Sequence, residues 1–512
     1  MYGRALGITL LGVGGHPVTV EAFVGRGLPS LTLTGLPGAT VQDGRERIRP
    51  AIEHAGGEWP LRRVVVNLAP ANLRKESAGL DLPIAVAVLA ATAQVPATAL
   101  RDVAFVGELS LRGEVLATPS VLSVAIAAAA AGVGTLVVPA ANAAEAAEVG
   151  RVRVIPVERV DEVIAFLRGT WTPPEVGPAP RGEAAADRVD LADVRGQTQA
   201  RRVLEIAAAG GHNLLLVGSP GAGKTMLARR LTTILPDLTR AEGLEASQTW
   251  SVAGLLRGGG LLRRRPFRSP HHSISTAGLL GGGASILRPG EVSLAHHGTL
   301  FLDELTEFRR DAVEALRQPL EDGRVVVTRT GGSVTFPARF TLVAAANPCP
   351  CGYLGDTLRG CRCREDQVQR YRQKLSGPLL DRIDLRLAVP RLTKDELLGA
   401  ADGEASADVR ARVVAARILQ RERYASIGVA CNAHLPGPLA RRSADLTAPA
   451  RTVLARAVKR QALTGRGFDR VVKVARTIAD LDAVPRTEAE HVAEALGYRT
   501  AFEHGEGLAR VR

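Results

Sequence analysis

With 512 residues, 46% of them apolar, and a formal net charge of +13, the chain is long enough for two or three packed domains and too rich in core-forming residues for a disordered or fibrous protein. Arginine carries the excess, since only six lysines occur; a polyanionic partner is one reading of this, and a GC-rich coding sequence that enriches arginine, alanine and glycine together is the other. Five cysteines, four of them within residues 349–363, exclude a disulfide framework spread through a secreted domain.

At the start of the chain, Arg4 precedes a short apolar run broken by glycines, and no small-residue cleavage site follows. Without a signal peptide the expected location is the cytoplasm. Alternating patterns predict strands at 18–22 and 31–34, an apolar run predicts a buried strand at 64–68, and alanine-rich helices follow Asp81 and Val121. Residues 82–100 and 121–140 carry no charge and imitate membrane spans. Pro83 and Pro96 break the first, and Gly132, Gly134 and Pro139 break the second. Each fits a buried helix running into a loop or strand, so no membrane partner is expected. Residues 1–169 therefore read as an α/β or α+β domain.

Residues 170–188, TWTPPEVGPAPRGEAAADR, replace apolar periodicity with proline, glycine and charge, the composition of an exposed linker. Beyond it come a helix at 197–209, a strand at 213–217, a helix at 225–235 and apolar strands at 300–302 and 340–346. That alternation predicts a parallel sheet with crossover helices over 189–395. From about Pro390 the pattern is helical, which predicts a helical lid over 396–512.

The strand at 213–217 runs straight into Gly218, Ser219, Pro220, Gly221, Ala222, Gly223, Lys224 and Thr225, a match to GxxxxGK[ST] in the strand-loop-helix setting that the motif requires. Glycines let backbone N–H groups wrap phosphates, and the helix N-terminus behind them favours negative charge. Lys224 is placed to reach the β and γ phosphates of ATP and Thr225 to hold Mg²⁺. The segment GTLFLDE at 298–304 supplies the second half of the site, an apolar strand ending in two acids. Asp303 would anchor Mg²⁺, and Glu304 would polarise the attacking water. The strand at 340–346 ends at Asn347, whose side chain would touch the γ-phosphate or that water.

These features resemble AAA+ motors, in which the position of Asn347 is called sensor 1. LLDRIDL at 379–385 resembles the segment that carries their arginine finger, which points to Arg382 and implies a ring. TGRGFDR at 464–470 resembles their sensor 2 helix, with Arg466 as first choice and Arg470 as reserve. A closer resemblance rests on RPFRSPHHSI at 265–274, GEVSLAHHG at 290–298, LRQPLEDG at 316–323 and NPCPCG at 347–352. These follow the magnesium-chelatase-like ComM/YifB family over nearly the whole chain. The resemblance implies a hexameric AAA+ ATPase acting on single-stranded or branched DNA, as a helicase or branch-migration factor in recombination of incoming DNA. It also relates the core to magnesium chelatase motors and minichromosome maintenance helicases, which carry a β-hairpin before the sensor 1 strand. Residues 323–336 show two alternating runs around Gly331 and Gly332, a hairpin signature in its own right. Arg329 lies near its tip and is the candidate DNA contact.

The first domain resembles the Lon-type (S5-type) protease fold of non-proteolytic relatives, through KESAGLDLP at 75–83. In that resemblance the nucleophile position falls on Gly79, and Ser77 reads as a turn or cap serine. Cys349, Cys351, Cys361 and Cys363 form two close pairs, the donor set of a tetrahedral structural zinc site, with reduced thiols or a redox pair as the alternative. The paired histidines His271–His272 and His296–His297 read as loop or pore packing, with metal or catalytic roles as the competing reading. A DNA motor leads over a metal-chelatase motor subunit and over an ATP-driven protein remodeller or Lon-like protease.

Overall fold

The structure is a computed structural model that describes all residues except 178–188, 257, 259, 284–286, 330–331, 357, 376, 400–402, 462 and 500–512. The N-terminal third is organised by a long antiparallel hairpin of β1 (Tyr2–Leu11) and β2 (Gly14–Gly25), joined by β3 (Ser30–Thr34), β4 (Arg63–Ala69), β5 (Val103–Phe105), β6 (Thr135–Pro139) and β7 (Arg153–Val157). The sheet runs β3-β4-β2-β1-β5-β6-β7, antiparallel through β4-β2-β1 and parallel on both flanks. Successive side chains point to opposite faces of a strand, so Ala5 and Val137 join one core while Ile8, Leu136 and Val138 join the other. The first core is covered by α1 (Ala39–His54) and α2 (Asp81–Ala91), the second by α3 (Val121–Ala130).

Every residue of α2 is buried, the expected place for a helix that is apolar all round. Glycine in β1 is what lets it lie so close, because a Cβ on Gly3 would come 2.3 Å from the carbonyl oxygen of Ala87. The same glycines make β1 read as an interrupted run in the sequence, which is why that strand is not anticipated there.

The second sheet consists of β8 (Leu214–Val217), β9 (Phe267–Arg268), β10 (Thr299–Leu302), β13 (Thr341–Ala346) and β14 (Leu385–Ala388). Its order is β9-β10-β13-β8-β14, and every pairing is parallel. Parallel strands buried on both faces read as continuous apolar runs. Leu214, Leu216, Val343 and Ala345 face one core, and Leu215, Leu342 and Ala344 face the other. Strand β14 escapes sequence reading because Arg386 interrupts it, and that arginine is buried. Between β10 and β13 the chain forms a separate antiparallel hairpin, β11 (Arg324–Arg329) with β12 (Gly332–Pro337). Beyond residue 390 the described residues are helical, apart from one isolated bridge between Leu446 and Thr487. The helix Gly465–Leu481 packs its apolar face on Thr198–Gly210 of the core.

The N-terminal domain and the ATPase core touch at defined points. Gln248 donates to the carbonyl oxygen of Val13 at 2.7 Å, Arg240 donates to that of Glu148 at 2.8 Å, and Ser251 hydrogen-bonds Glu145. Gly12, at φ 65° in the β1–β2 turn, lies so close to the hairpin that a Cβ there would come 2.4 Å from Val334 Cγ1. Among the described residues no helix is long and apolar enough to cross a membrane. Of the linker expected at 170–188, residues 178–188 lie outside the described residues, whereas the first part is tied to the N-terminal domain: Thr170 donates to the carbonyl oxygen of Ala165 at 3.1 Å, and Trp171 and Val176 pack against its two cores.

Candidate nucleotide site

The phosphate loop grows out of the C-terminal end of β8 and closes on the helix Lys224–Ile234. Gly221 and Gly223 stand at φ 81° and 87°, conformations open to glycine and strained for other residues. Lys224 Nζ lies across the loop, donating to the carbonyl oxygens of Gly218 (2.6 Å) and Ser219 (3.1 Å) and to Asn347 Oδ1 (3.2 Å). Burial pushes its pKa down, and the charges of Asp303 and Glu304 oppose that shift. Thr225 Oγ1 donates to Asp303 Oδ2 at 2.6 Å, so the hydroxyl and the carboxylate converge as a hard-oxygen donor set suited to Mg²⁺. Two flanking residues had no motif to betray them. Gln197, at φ 47°, donates to Ala222 O at 2.8 Å, and Arg391 donates to Pro220 O at 3.3 Å.

Glu304 follows Asp303 in a left-handed backbone conformation, φ 52°, with its own N–H donating to Asp303 Oδ1 at 3.0 Å. Its side chain is 56% exposed, and His272 Nδ1 stands 3.9 Å from its Oε2. Lys224, Thr225, Asp303, Glu304 and Asn347 thus gather at the C-terminal edge of one sheet.

The cysteine loop opens two residues beyond Asn347. Cys349 Sγ lies 3.4 Å from Cys351 Sγ and 3.6 Å from Cys361 Sγ, and Cys351 and Cys361 are 3.6 Å apart. A tetrahedron with zinc–sulfur bonds of about 2.3 Å has sulfur–sulfur edges of about 3.8 Å. Cys363 Sγ accepts from the Cys351 N–H at 3.4 Å and completes the group. At Cys351 burial opposes the thiolate, but backbone N–H groups of Arg362 and Tyr353 outweigh it and bring the pKa down to about 6. The donor set fits zinc. Gly352 presses this loop onto the phosphate loop, since a Cβ there would come 2.6 Å from Pro220 Cδ.

Other sequence candidates lie elsewhere. Arg382 precedes β14 at the opposite edge of the sheet, where its carbonyl accepts from Asn213 Nδ2 at 2.9 Å. A four-residue strand, roughly 13 Å long, separates that edge from the phosphate loop. Arg382 is only 7% exposed, donating to Pro378 O and pairing with Glu321 Oε1, both at 2.6 Å. Arg466 shares that carboxylate oxygen at 3.3 Å, while Arg470 pairs with buried Asp384. Arg329 ends β11 in register with Gly332; its side chain lies outside the described residues.

The histidine pairs lie ring beside ring at a tilt, His271 and His272 with centroids 4.0 Å apart and planes 35° apart, His296 and His297 at 3.9 Å and 45°. His296 and His297 both meet Glu245 Oε2, at 3.2 and 2.8 Å. A neutral imidazole has one N–H and one lone pair. The Arg339 N–H takes the lone pair of His296 Nδ1 at 3.0 Å, so Nε2 carries the hydrogen and has none to give a metal. In the N-terminal domain, Ser77 Oγ accepts from the Gly79 N–H at 3.3 Å. Lys75, the only lysine before residue 224, donates to the carbonyl oxygens of Gly35 (2.8 Å), Leu68 (2.9 Å) and Pro70.

Comparison with known proteins covers most of the chain. Magnesium chelatase models match in three segments: subunit ChlI at residues 190–397, subunit ChlI of Mg-chelatase at 20–142, and the ChlI C-terminal region at 403–499. The YifB protein of Escherichia coli strain K12 is 43% identical over 491 residues, 96% of this chain and 95% of that one. The competence protein ComM of Haemophilus influenzae is 42% identical over 504 residues, 98% and 97% of the two chains. A Lon protease of Geobacter metallireducens is 29% identical over 196 residues, 36% of this chain and 23% of its own.

Proposed function

This chain belongs to the magnesium-chelatase-like ComM/YifB family of AAA+ ATPases, and on that premise we propose that it is a ring motor that couples ATP hydrolysis to movement of DNA. The observation that carries the reading is the β11–β12 hairpin, inserted between the strand that ends in Asp303 and Glu304 and the strand that ends at Asn347. Whatever the hairpin grips is thereby tied to both sides of the nucleotide site. The basic excess of the chain favours a phosphate backbone as that cargo.

In this reading Lys224 and the phosphate-loop amides hold the β and γ phosphates. Thr225 and Asp303 hold Mg²⁺, which when bound neutralises charge on those oxygens. Glu304 accepts the proton of the attacking water, and Asn347 orients it. Arg382 and Arg466 cannot serve their own phosphates across the sheet, so they act on the site of a neighbouring subunit, released from Glu321. The four cysteines hold a structural zinc that fixes the loop behind Asn347. A proteolytic role finds no support at Ser77, because Lys75 spends its ammonium on backbone carbonyls. A chelatase motor subunit would need neither the Lon-like domain nor the cysteine loop.

Turnover of ATP with and without branched DNA tests the reading. DNA should raise the rate, and Arg329→Ala should keep ring assembly and DNA-free turnover while losing the stimulation. Each lost phosphate contact should lower the salt slope of DNA binding by about 0.7 to 0.9. Stimulation by a protein substrate instead, or unchanged DNA affinity and slope in Arg329→Ala, overturns it.

A further inference from the structure

We propose that the open face of the N-terminal sheet is a stacking platform for single-stranded DNA, with Tyr2 and Phe23 against the bases and Arg4 and Arg63 on the phosphates. The choice of DNA rests on the reading above; the platform rests on the sheet itself.

Aromatic residues make up only 4% of the chain, and among the described residues just two are exposed, Tyr2 at 59% and Phe23 at 54%. They are direct partners across the β1–β2 ladder, where opposite side chains share a face about 5 Å apart. Helix α3 covers the far end of that face, since Ile8 joins its core and a Cβ on Gly15 would come 2.6 Å from Ala127 Cβ. Toward Tyr2 the cover ends, and Arg4, Thr32 and Arg63 are exposed beside the two rings. Phe23 lies down along its strand, because a Cβ on Gly25, two residues on, would come 2.8 Å from its Cε1. A ring laid flat on a sheet turns its other π-face outward, as in four-stranded sheets that stack bases on strand aromatics.

The surface around the pair is organised in advance. Tyr2 Oη donates to Glu21 Oε1 at 3.0 Å, Asn67 Nδ2 to Glu21 Oε2 at 3.0 Å, and Thr34 Oγ1 to Asn67 Oδ1 at 3.2 Å. These bonds cross β1, β2, β4 and β3 in turn and fix Tyr2 at their end. Glu21 is the one acid in the four strands, and both its oxygens are spent in this network. Arg26 and Arg62 add exposed charge at the border. The cation excess repels a second copy of the same face and suits a polyanion whose base faces are free. Duplex DNA hides those faces in its own stack, so the platform selects single strands. The β1–β2 hairpin meets the β11–β12 hairpin at Gly12, and the aromatic pair lies at its other end, about 30 Å along the strands. A strand leaving the β11–β12 hairpin thus has a second hold on the same subunit.

Fluorescence anisotropy of a labelled poly-thymidine oligonucleotide with full-length protein tests this, in the wild type and in Arg329→Ala. Phe23→Ala, and Tyr2→Ala likewise, should weaken binding about fivefold to a hundredfold in both backgrounds, the range for one lost stacked base. Thermal unfolding and affinity for blunt duplex DNA should not change. Phe23→Trp should restore binding, whereas Phe23→Leu, apolar but without a π-face, should not. Arg4→Ala and Arg63→Ala should each lower the salt slope by about 0.7. Unchanged oligonucleotide affinity in Phe23→Ala, or full affinity in Phe23→Leu, overturns the platform. Altered ring size in light scattering at unchanged affinity assigns the face to subunit packing and overturns it too. If DNA still stimulates ATP turnover in that case, the motor reading survives the failure. Binding that depends on Phe23 but never raises turnover keeps the platform and removes the motor.

Discussion

Two lysines divide the molecule. Lys75 in the N-terminal sheet and Lys224 in the phosphate loop each direct an ammonium at backbone carbonyls, and burial lowers the pKa of both. The difference lies in what surrounds them. Lys75 is fully buried, and its three carbonyl partners tie the segments around residues 35 and 68–70 together. Lys224 adds Asn347 and faces the charges of Asp303 and Glu304, on a loop whose Gly221 and Gly223 stand at positive φ. A lysine that exhausts its donors on buried carbonyls reads as structural; one set among carboxylates on a glycine loop is the candidate that would trade those carbonyls for phosphate.

Exchanging the two roles is the strongest way to break that comparison. Lys75→Met should strand the buried carbonyl of Leu68 and the partly buried ones of Gly35 and Pro70 and destabilise the N-terminal domain by about 3 kcal/mol, seen as an early transition in urea unfolding. ATP affinity of the remaining core should be unchanged. Lys224→Ala should do the reverse, leaving unfolding within about 0.5 kcal/mol of wild type while ATP binding collapses. A destabilised Lys224→Ala protein with intact binding would dissolve the contrast.

Next in size, Glu304→Gln should lower turnover about a hundredfold and leave ATP affinity unchanged. That would separate the acid that serves the hydrolytic step from the lysine that serves binding, and retained full turnover would remove Glu304 from the mechanism. A further test sharpens the role of the loop behind Asn347. Purified protein should carry about one zinc per chain, lost when Cys349 and Cys363 are changed to serine, with faster amide exchange around Asn347 and Gly352. Zinc-free protein with unaltered exchange would leave the thiols without a structural role.

The smallest effect concerns pH. Burial above all holds His296 well under its ordinary value, at about 4. Between about 6.5 and 4 the unfolded chain binds a proton that the folded one refuses. The core should therefore hold its full stability above pH 6.5 and lose about 1 to 3 kcal/mol as pH falls toward 4. His296→Gln should flatten that slope in pH-dependent thermal unfolding; an identical slope would assign it to other groups.

The candidate nucleotide site was legible in the sequence where its chemistry is local. The phosphate loop needs eight consecutive residues and a strand before them, and Asp303 and Glu304 announce themselves at the end of an apolar run. Partnerships across long separations were not. Glu321 lies 61 residues before Arg382, and nothing in either segment says that one carboxylate pairs with both Arg382 and Arg466. Nothing in the segment around Lys75 ties it to Gly35, 40 residues away, whose carbonyl it reaches in the fold. Strands β1 and β14 were hidden by the residues that make their packing possible, glycines under α2 in one case and buried Arg386 in the other.

Turn tips of hairpins are usually where a chain accepts insertions and fusions most readily. The β1–β2 turn is an exception here, because Gly12 stands at φ 65° against Val334 of the β11–β12 hairpin, with no space for a Cβ. The N-terminal domain is therefore no interchangeable module hung on an ATPase core. Lineages that exchange or enlarge it must preserve a glycine at this tip or remodel the facing hairpin with it, so the two parts are bound to vary together.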